Sequence, residues 1–450
     1  MLPHYSRRST LALLGGVALA GCSAFRDDRY WDDPPSFDAT GLETVTDRSI
    51  PERPHPIPVT LGEEHHTAMS TRVSDLLAPI PEPLSATTVP NGEIREALDN
   101  HREDARVAVD RMGATSETLT VVEASAEAGQ HAADAAGIWA AITTAGSPES
   151  VTVSLADLQH DLQDVIASLP DEAADAEEGA VVHGSIEAWL DEARRSTLVG
   201  RLTRIREQPN PLRVGRLLGD FEHIRVEIQA GAHIRDQYVE GLETPRQVED
   251  DLSHAVDELA PVVEARIQDL HDGEEERPLF RTPDVADLID RQYHRDEPGV
   301  RLYSRTLSDL IEELRFVAIA WPEIDDDTPS LRLRNTTWVL AVLDALEELR
   351  TRIEEGEDLF PPDATTIREA RSEAIDAVHE LGASPSPLQK WIAWRLVPAF
   401  GQPDELVDSV PDNENDGPTL ARVYGEYVWL RLLAQTATET VPRMIETYVE

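Results

Sequence analysis

The pattern that decides the fold lies in residues 93–112, which read EIREALDNHREDARVAVDRM. Apolar side chains recur there every three or four residues and form one stripe, made of Ile94, Ala97, Leu98, Ala105, Val109 and Met112. This spacing matches the 3.6-residue turn of an α-helix and predicts one apolar face directed towards a core. Residues 154–169 repeat the pattern with Leu155, Leu158, Leu162, Val165, Ile166 and Leu169.

The same period continues along almost the whole chain from residue 61. It predicts helices at 61–78, 92–112, 115–145, 154–168, 172–207, 212–240, 245–271, 284–295, 301–320, 330–355, 364–381, 387–398 and 418–448. Val151-Thr152-Val153 is the only short β-like run. We therefore expect an all-α fold of antiparallel bundles or an irregular helical array, with helical domains at 61–272 and 279–450.

Two helix starts are predicted from capping signals. Thr244-Pro245-Arg246-Gln247 and Ser386-Pro387-Leu388-Gln389 each combine a capping side chain, a proline at the first helical position and a glutamine two residues later. The charged residues 272–278, which contain Gly273 and Pro278, are the predicted seam between the two domains.

The first 22 residues carry an export pattern. Arg7 and Arg8 precede an apolar stretch from Leu11 to Ala20, which spans about half of the 20 residues that a membrane-crossing helix needs. Small residues then lead to Cys22, the only cysteine of the chain. A cleaved signal peptide explains this arrangement better than a membrane span.

This leader resembles that of haloarchaeal twin-arginine-exported lipoproteins, a similarity limited to the signal and the lipobox around Cys22. The resemblance implies that the twin-arginine export machinery is a partner, that residues 1–21 are removed and that Cys22 receives a covalent lipid. It places the protein on the outer face of the cytoplasmic membrane, anchored by that lipid. Residues 22–60, rich in Pro and Asp, then form an extended tether.

The charge of the chain is strongly negative. Asp and Glu number 86 against 40 Lys and Arg, which gives −46, and Lys390 is the only lysine. Such composition resembles that of proteins bathed in molar salt, where a Debye length of about 3 Å screens self-repulsion. The same charge repels nucleic acid, so we expect no nucleic-acid partner.

Familiar catalytic motifs are missing from the sequence. It contains no G-x-S-x-G elbow, no H-E-x-x-H, no phosphate-binding loop and no dinucleotide glycine pattern. A lipidated Cys22 leaves no thiol to act as a nucleophile. The sequence therefore leans against an enzyme, and no cofactor is predicted apart from the lipid.

Histidines that follow an acid by three residues are the metal candidates, because helical bundles can hold metal ions with this spacing. Four lie on predicted helices: His160, His223, His254 and His379. A second candidate is Glu63-Glu64-His65-His66. The alternative for all of them is a structural or solvated histidine, which is the commoner role.

A local reversal of charge lies between residues 194 and 216, where seven arginines surround Glu207 as the only acid. On a continuous helix Arg194, Arg201 and Arg204 fall within about 80° of one another. The stretch either packs against an acidic helix of the same protein or binds an anionic ligand, such as a surface glycan or a phosphate group.

Two further features concern the second domain. Trp391 and Trp394, beside Lys390, belong either to the core or to a helix at a membrane interface. Asn335-Thr336-Thr337 is a glycosylation sequon, but a position inside a helix disfavours its use.

Together these patterns favour a non-enzymatic cell-surface lipoprotein with a helical body that binds or scaffolds another molecule, such as a surface protein or an anionic glycan. The alternative is a metal-dependent redox or hydrolytic protein built on a helical bundle. A solute-binding component of a transporter is the weaker third hypothesis, since such proteins commonly have α/β folds.

Overall fold

A computed structural model describes residues 37, 39–143, 160, 165, 172–195, 210–270, 283, 285–320, 328–357, 359–410 and 417–449. The leader with Arg7, Arg8 and Cys22 lies outside these residues, as do Val151-Thr152-Val153 and nearly all of the predicted helix at 154–168.

The fold is all-α, as predicted. In the first half the helices are α1 (Ala39–Leu42), α2 (Glu63–Leu77), α3 (Gly92–Gly113), α4 (Thr118–Thr143), α5 (Ala176–Arg195) and α6 (Pro211–Gly241). The second half contains α7 (Glu249–Asp269), α8 (Val285–Leu288), α9 (Pro298–Ala320), α10 (Pro329–Glu354), α11 (Ala364–Gly382), α12 (Pro387–Leu396), α13 (Gly401–Ser409) and α14 (Gly417–Tyr448), with a 3-10 turn at Val397–Phe400. Strands β1 (Glu172–Ala173) and β2 (Arg246–Gln247) pair antiparallel, Glu172 with Gln247 and Ala173 with Arg246.

Local capping explains several helix starts. Asn91 accepts hydrogen bonds from the amides of Glu93 and Ile94, and Asn210 accepts from those of Leu212 and Arg213. The predicted cap at Ser386 is confirmed, since its hydroxyl accepts from the amide of Gln389.

The predicted helix start at Thr244 is wrong, because Arg246 and Gln247 pair with β1 and α7 begins only at Glu249. The predicted helix at 284–295 is shortened to α8. It ends at Leu288, after which the carboxylate of Glu297 accepts from the amide of His294 at 2.8 Å and forms the turn that leads into α9. At Arg246 and Gln247 a tertiary contact replaces the local helical pattern, whereas His294 and Glu297 form a local turn.

Helix α4 lies at the centre of the first half, with α2, α3 and α6 packed around it. In the second half α10 contacts α7, α9 and α14, while α14 also packs on α11 and α12. Although the sequence pattern predicts α7 as part of the first domain, α7 packs mainly against α10.

Helix α5 joins the two halves by packing on both α6 and α10. At Gly184 an added Cβ would lie 2.9 Å from the carbonyl oxygen of Ser330, so only glycine permits this approach. Nearby, Glu187 accepts from the amide of Leu331 at 2.7 Å, and the guanidinium of Arg334 donates to the hydroxyl of Ser185 at 2.9 Å. The main hydrophobic core is accordingly continuous across both halves.

Residues 39–61 form a strap on the surface of the body rather than the free tether that was expected of them. Leu42, Val45 and Ile57 are each at most 2% exposed. Arg53 donates to Glu123 at 2.8 Å and stacks over the ring of Trp394 at 4.7 Å. Burying these apolar side chains favours docking over projection into solvent.

Among the helices of the described ranges, none has the length and apolar content needed to cross a membrane.

Candidate metal centre

Two His-x-x-Asp pairs face each other across α3 and α4. His101 and Asp104 lie one turn apart on α3, and His131 and Asp134 lie one turn apart on α4. Residues three apart on a helix share a face, so each pair presents an imidazole and a carboxyl group together.

Small side chains bring these two helices close. Ala105, Ala108, Ala128 and Ala132 are at most 3% exposed and form the seam beside the histidines. Because alanine occupies little space, the longer histidine side chains of both helices can meet at the edge of the seam.

Ligand atoms of His101, Asp104 and His131 all lie within 4.8 Å of one another. The two Nδ1 atoms of the histidines are 3.3 Å apart. With metal–nitrogen bonds of about 2.0–2.1 Å, this separation corresponds to an angle of roughly 105–110° at a shared metal ion, which suits tetrahedral Zn²⁺. Asp134 stands outside this group, with Oδ2 3.6 Å from Nδ1 of His101.

Burial keeps both imidazoles neutral at physiological pH. It lowers the pKa of His101 to about 4, with the nearby His131 adding to the effect. Burial also lowers the pKa of His131. A neutral imidazole has a free lone pair, which is the form that binds a metal ion.

Asp134 is a buried acid, only 6% exposed. Burial raises the pKa of its carboxyl group to about 7, against the opposing effect of Arg216. Buried carboxyl groups with a raised pKa are a feature of functional sites. A cation beside the Asp134 carboxyl group would favour its ionised form.

Helix α6 forms the third wall of the site. At Gly219 an added Cβ would lie 2.7 Å from the carboxyl group of Asp134, and at Gly215 it would lie 2.6 Å from the Asp134 carbonyl oxygen. The same helix carries His223, whose charge acts on His131 and whose Nε2 is 3.3 Å from the carboxylate of Glu227.

Of the four histidines predicted as metal candidates, only His223 borders the cluster. His254 and His379 lie on α7 and α11, away from it, and His160 is exposed as an isolated described residue. Asp376, the predicted partner of His379, instead pairs with Arg48 of the strap. These three histidines therefore do not contribute to the described cluster.

The predicted cluster at Glu63-Glu64-His65-His66 forms the start of α2. His65 points Nε2 at the hydroxyl of Ser125, 3.1 Å away, and burial lowers its pKa to about 4. Among the described residues no third ligand completes a metal group there.

The arginine-rich stretch is described only in part. Arg194 lies in the last turn of α5 with an undescribed side chain, and Arg201 and Arg204 lie outside the described residues. Arg213 and Arg216 are exposed in the first turns of α6.

Trp391 is 4% exposed and belongs to the core, whereas Trp394 is half-buried and donates its indole N–H to Glu117 at 2.7 Å. Asn335 lies inside α10. The Thr337 of its sequon is fully buried and bonded to the carbonyl of Leu333.

The sequence pattern that predicted metal ligands misses His101 and His131, because it requires the acid to precede the histidine. In the cluster the order is reversed, with Asp104 and Asp134 following by three residues. The repeat of His-x-x-Asp on two adjacent predicted helices was the available signal. It could not reveal that the two pairs face each other.

Comparisons with known proteins divide the chain into two parts. Residues 64–244 match the model of a domain of unknown function, DUF8262, and residues 249–446 match that of another, DUF8264. No curated protein and no solved structure matches the chain. The division falls at β2, between α6 and α7, rather than at 272–278 as the sequence suggested. The candidate metal centre lies wholly within the part that is similar to DUF8262.

Proposed function

We propose that this is a lipid-anchored protein on the outer face of the cytoplasmic membrane whose helical body binds a divalent transition metal ion. The observation that carries the proposal is the convergence of ligand atoms of His101, Asp104 and His131 within 4.8 Å. A metal site belongs to the alternative hypothesis of a metal-dependent protein. Binding, rather than catalysis, remains the function that we propose for it.

The donor set favours zinc and its neighbours in the first transition series. Two neutral imidazoles and a carboxylate suit Zn²⁺, Co²⁺ or Ni²⁺, whereas Mg²⁺ and Ca²⁺ prefer oxygen ligands alone. The roughly tetrahedral angle between the imidazole nitrogens favours Zn²⁺ or Co²⁺ further.

Metal binding is tested by titrating chelator-treated protein with Zn²⁺ in high salt and by measuring metal content after desalting. We expect one ion per chain. His101→Ala and His131→Ala should each weaken binding about tenfold or more, since each removes one of few ligands. His254→Ala and His379→Ala, away from the cluster, are the matched controls, and neither should change the affinity. Equal affinity in all four variants would contradict the proposed centre.

Anchoring at Cys22 is supported by its position at the end of the leader. Cys22→Ala should move the protein from the membrane fraction to the soluble fraction, and intact mass analysis of the native protein should show a lipid on a chain that begins at residue 22. An unmodified chain that still begins at Met1 would contradict anchoring without affecting the metal centre.

The remaining hypotheses receive less support. An all-α body does not favour the solute-binding hypothesis, since such proteins commonly have α/β folds. A redox or hydrolytic activity would need catalytic groups in addition to one bound metal ion.

A further inference from the structure

We propose that the metal ion of this centre, together with Arg216, binds an oxyanion from solution, namely a phosphate or carboxylate group. This inference rests on the proposed metal-binding function. It names the class of ligand that the metal-loaded site would recognise.

The number of protein ligands leaves one coordination position for a molecule from solution. His101, Asp104 and His131 supply three donor atoms, and a tetrahedral ion with three protein ligands keeps one position for an exogenous ligand. Asp134 does not occupy this fourth coordination position, because its carboxyl group packs against Gly219 of α6.

The cluster is accessible from solvent. The side chain of Asp104 is exposed, and the His101 side chain retains 28% of its accessible surface. The cluster therefore opens to solvent on the α3 side, while α6 closes it behind Asp134. A small anion can reach the metal without a rearrangement of the helices.

Arg216 lies on α6, the helix that packs against Asp134. It lies between Gly215 and Gly219, the two positions where α6 touches Asp134. It is exposed, and its positive charge acts on both His101 and Asp134. An oxyanion bound to the metal would carry further oxygens, and the guanidinium of Arg216 could pair with one that the metal leaves free.

The charged side chains around the cluster are also compatible with an anionic ligand. Glu127, which lies close to His131, is paired with Arg111 at 2.5 Å. Asp104, Asp134 and Asp220, which accepts a hydrogen bond from Gln130 at 3.4 Å, are the other carboxylates beside the site. A bound divalent ion and Arg216 would together balance their charge, so an anion would meet less repulsion here than over most of a chain whose net charge is −46. The guanidinium fork matches two oxygens of one oxyanion.

Cobalt provides the test, because the visible spectrum of Co²⁺ reports its ligands. Protein loaded with one equivalent of Co²⁺ is titrated with inorganic phosphate and, separately, with acetate, at constant molar KCl. We expect a saturable spectral change with at least one of the two anions. Arg216→Ala should retain Co²⁺ but weaken anion binding about tenfold or more. Arg213→Ala, one turn away and equally exposed, should behave like the native protein.

The outcomes separate this inference from the proposed function. If Co²⁺ binds but neither anion changes the spectrum, the oxyanion site is wrong while the metal centre stands. Unchanged anion affinity in Arg216→Ala would also overturn it. If Co²⁺ does not bind, both proposals fail.

Discussion

The cost of burying a carboxyl group in the first half of the chain is offset in different ways. Glu222 is 2% exposed and accepts hydrogen bonds from Arg72 at 2.9 and 3.0 Å and from Arg225 at 2.5 and 3.1 Å. Asp134, one turn of α4 from His131, instead lies with Oδ2 3.6 Å from Nδ1 of His101. A buried charge that already has two guanidinium partners serves stability, whereas one that faces neutral metal ligands is suited to a cation.

Glu222 predicts a pH-dependent stability. Burial alone would raise the pKa of Glu222, but the hydrogen bonds from Arg72 and Arg225 outweigh it and hold that pKa below its usual value. A carboxyl with a depressed folded-state pKa stabilises the fold above its unfolded pKa of about 4.3 and loses this contribution as the pH falls through the folded value. Glu222→Gln should therefore lower the free energy of unfolding by roughly 1–3 kcal/mol at pH 7.

Denaturant unfolding at pH 7 and at pH values below about 4 measures this effect, and the difference between native and variant protein should shrink in acid. The exposed ion pair of Glu82 with Arg106 provides the control, since Glu82→Gln should leave stability unchanged. A Glu222→Gln penalty that is the same at every pH would show that the stabilisation comes from packing rather than from charge.

At the scale of elements, the crossing of α4 over α6 places Asp134 beside the candidate metal ligands of α3 and α4. Gly137 and Gly215 meet there, and an added Cβ at Gly137 would lie 2.9 Å from the Cα of Gly215. Backbone-to-backbone contact fixes the register of the two helices, which in turn sets Asp134 against Gly219. The geometry of the site thus depends on where the glycines lie as well as on the ligand residues.

Gly215→Ala tests this dependence. Its Cβ would meet the carbonyl oxygen of Asp134 at 2.6 Å, so the helices must separate. We expect the free energy of unfolding to fall by about 1–3 kcal/mol, as in other overpacked cores, and metal affinity to fall with it. Chemical denaturation and Zn²⁺ titration measure the two effects.

Gly241→Ala, at the end of the same helix, has nothing within 4 Å of its added Cβ and should leave both quantities unchanged. If Gly215→Ala binds metal as tightly as the native protein, α4 and α6 do not set the geometry of the centre.

For the whole molecule, the main electrostatic feature is a net charge of −46. Ion pairs engage some of the 86 carboxylates, including Asp344 with Arg266 and with Arg443. The remaining carboxylates repel one another over the Debye length, which is about 3 Å at 1 M salt and about 10 Å at 0.1 M.

The protein should therefore lose stability as salt is removed. We expect the melting temperature to fall when KCl is lowered from about 2 M to about 0.1 M, because self-repulsion then acts between more carboxylate pairs. Thermal unfolding across a KCl series measures this, and a series in sucrose at low salt is the control for effects other than screening. A melting temperature independent of KCl would contradict the argument.

Several features of the fold follow from residues close in sequence. The apolar period predicted α3 over 92–112, and the structure has Gly92–Gly113. Ser386 caps α12 as predicted, since its partner is only three residues away. Where a distant partner competes, local reasoning fails, as when β1 draws Arg246 and Gln247 out of the predicted helix.

The sequence by itself determined that the chain is helical, acidic and headed by an export-like leader, because these depend on composition and on neighbours within about four residues. Tertiary structure alone decided that His101 meets His131, 30 residues away, and that the strap packs on the body. Both depend on how helices cross, and that is set by contacts such as Gly215 against Asp134, which no local pattern encodes.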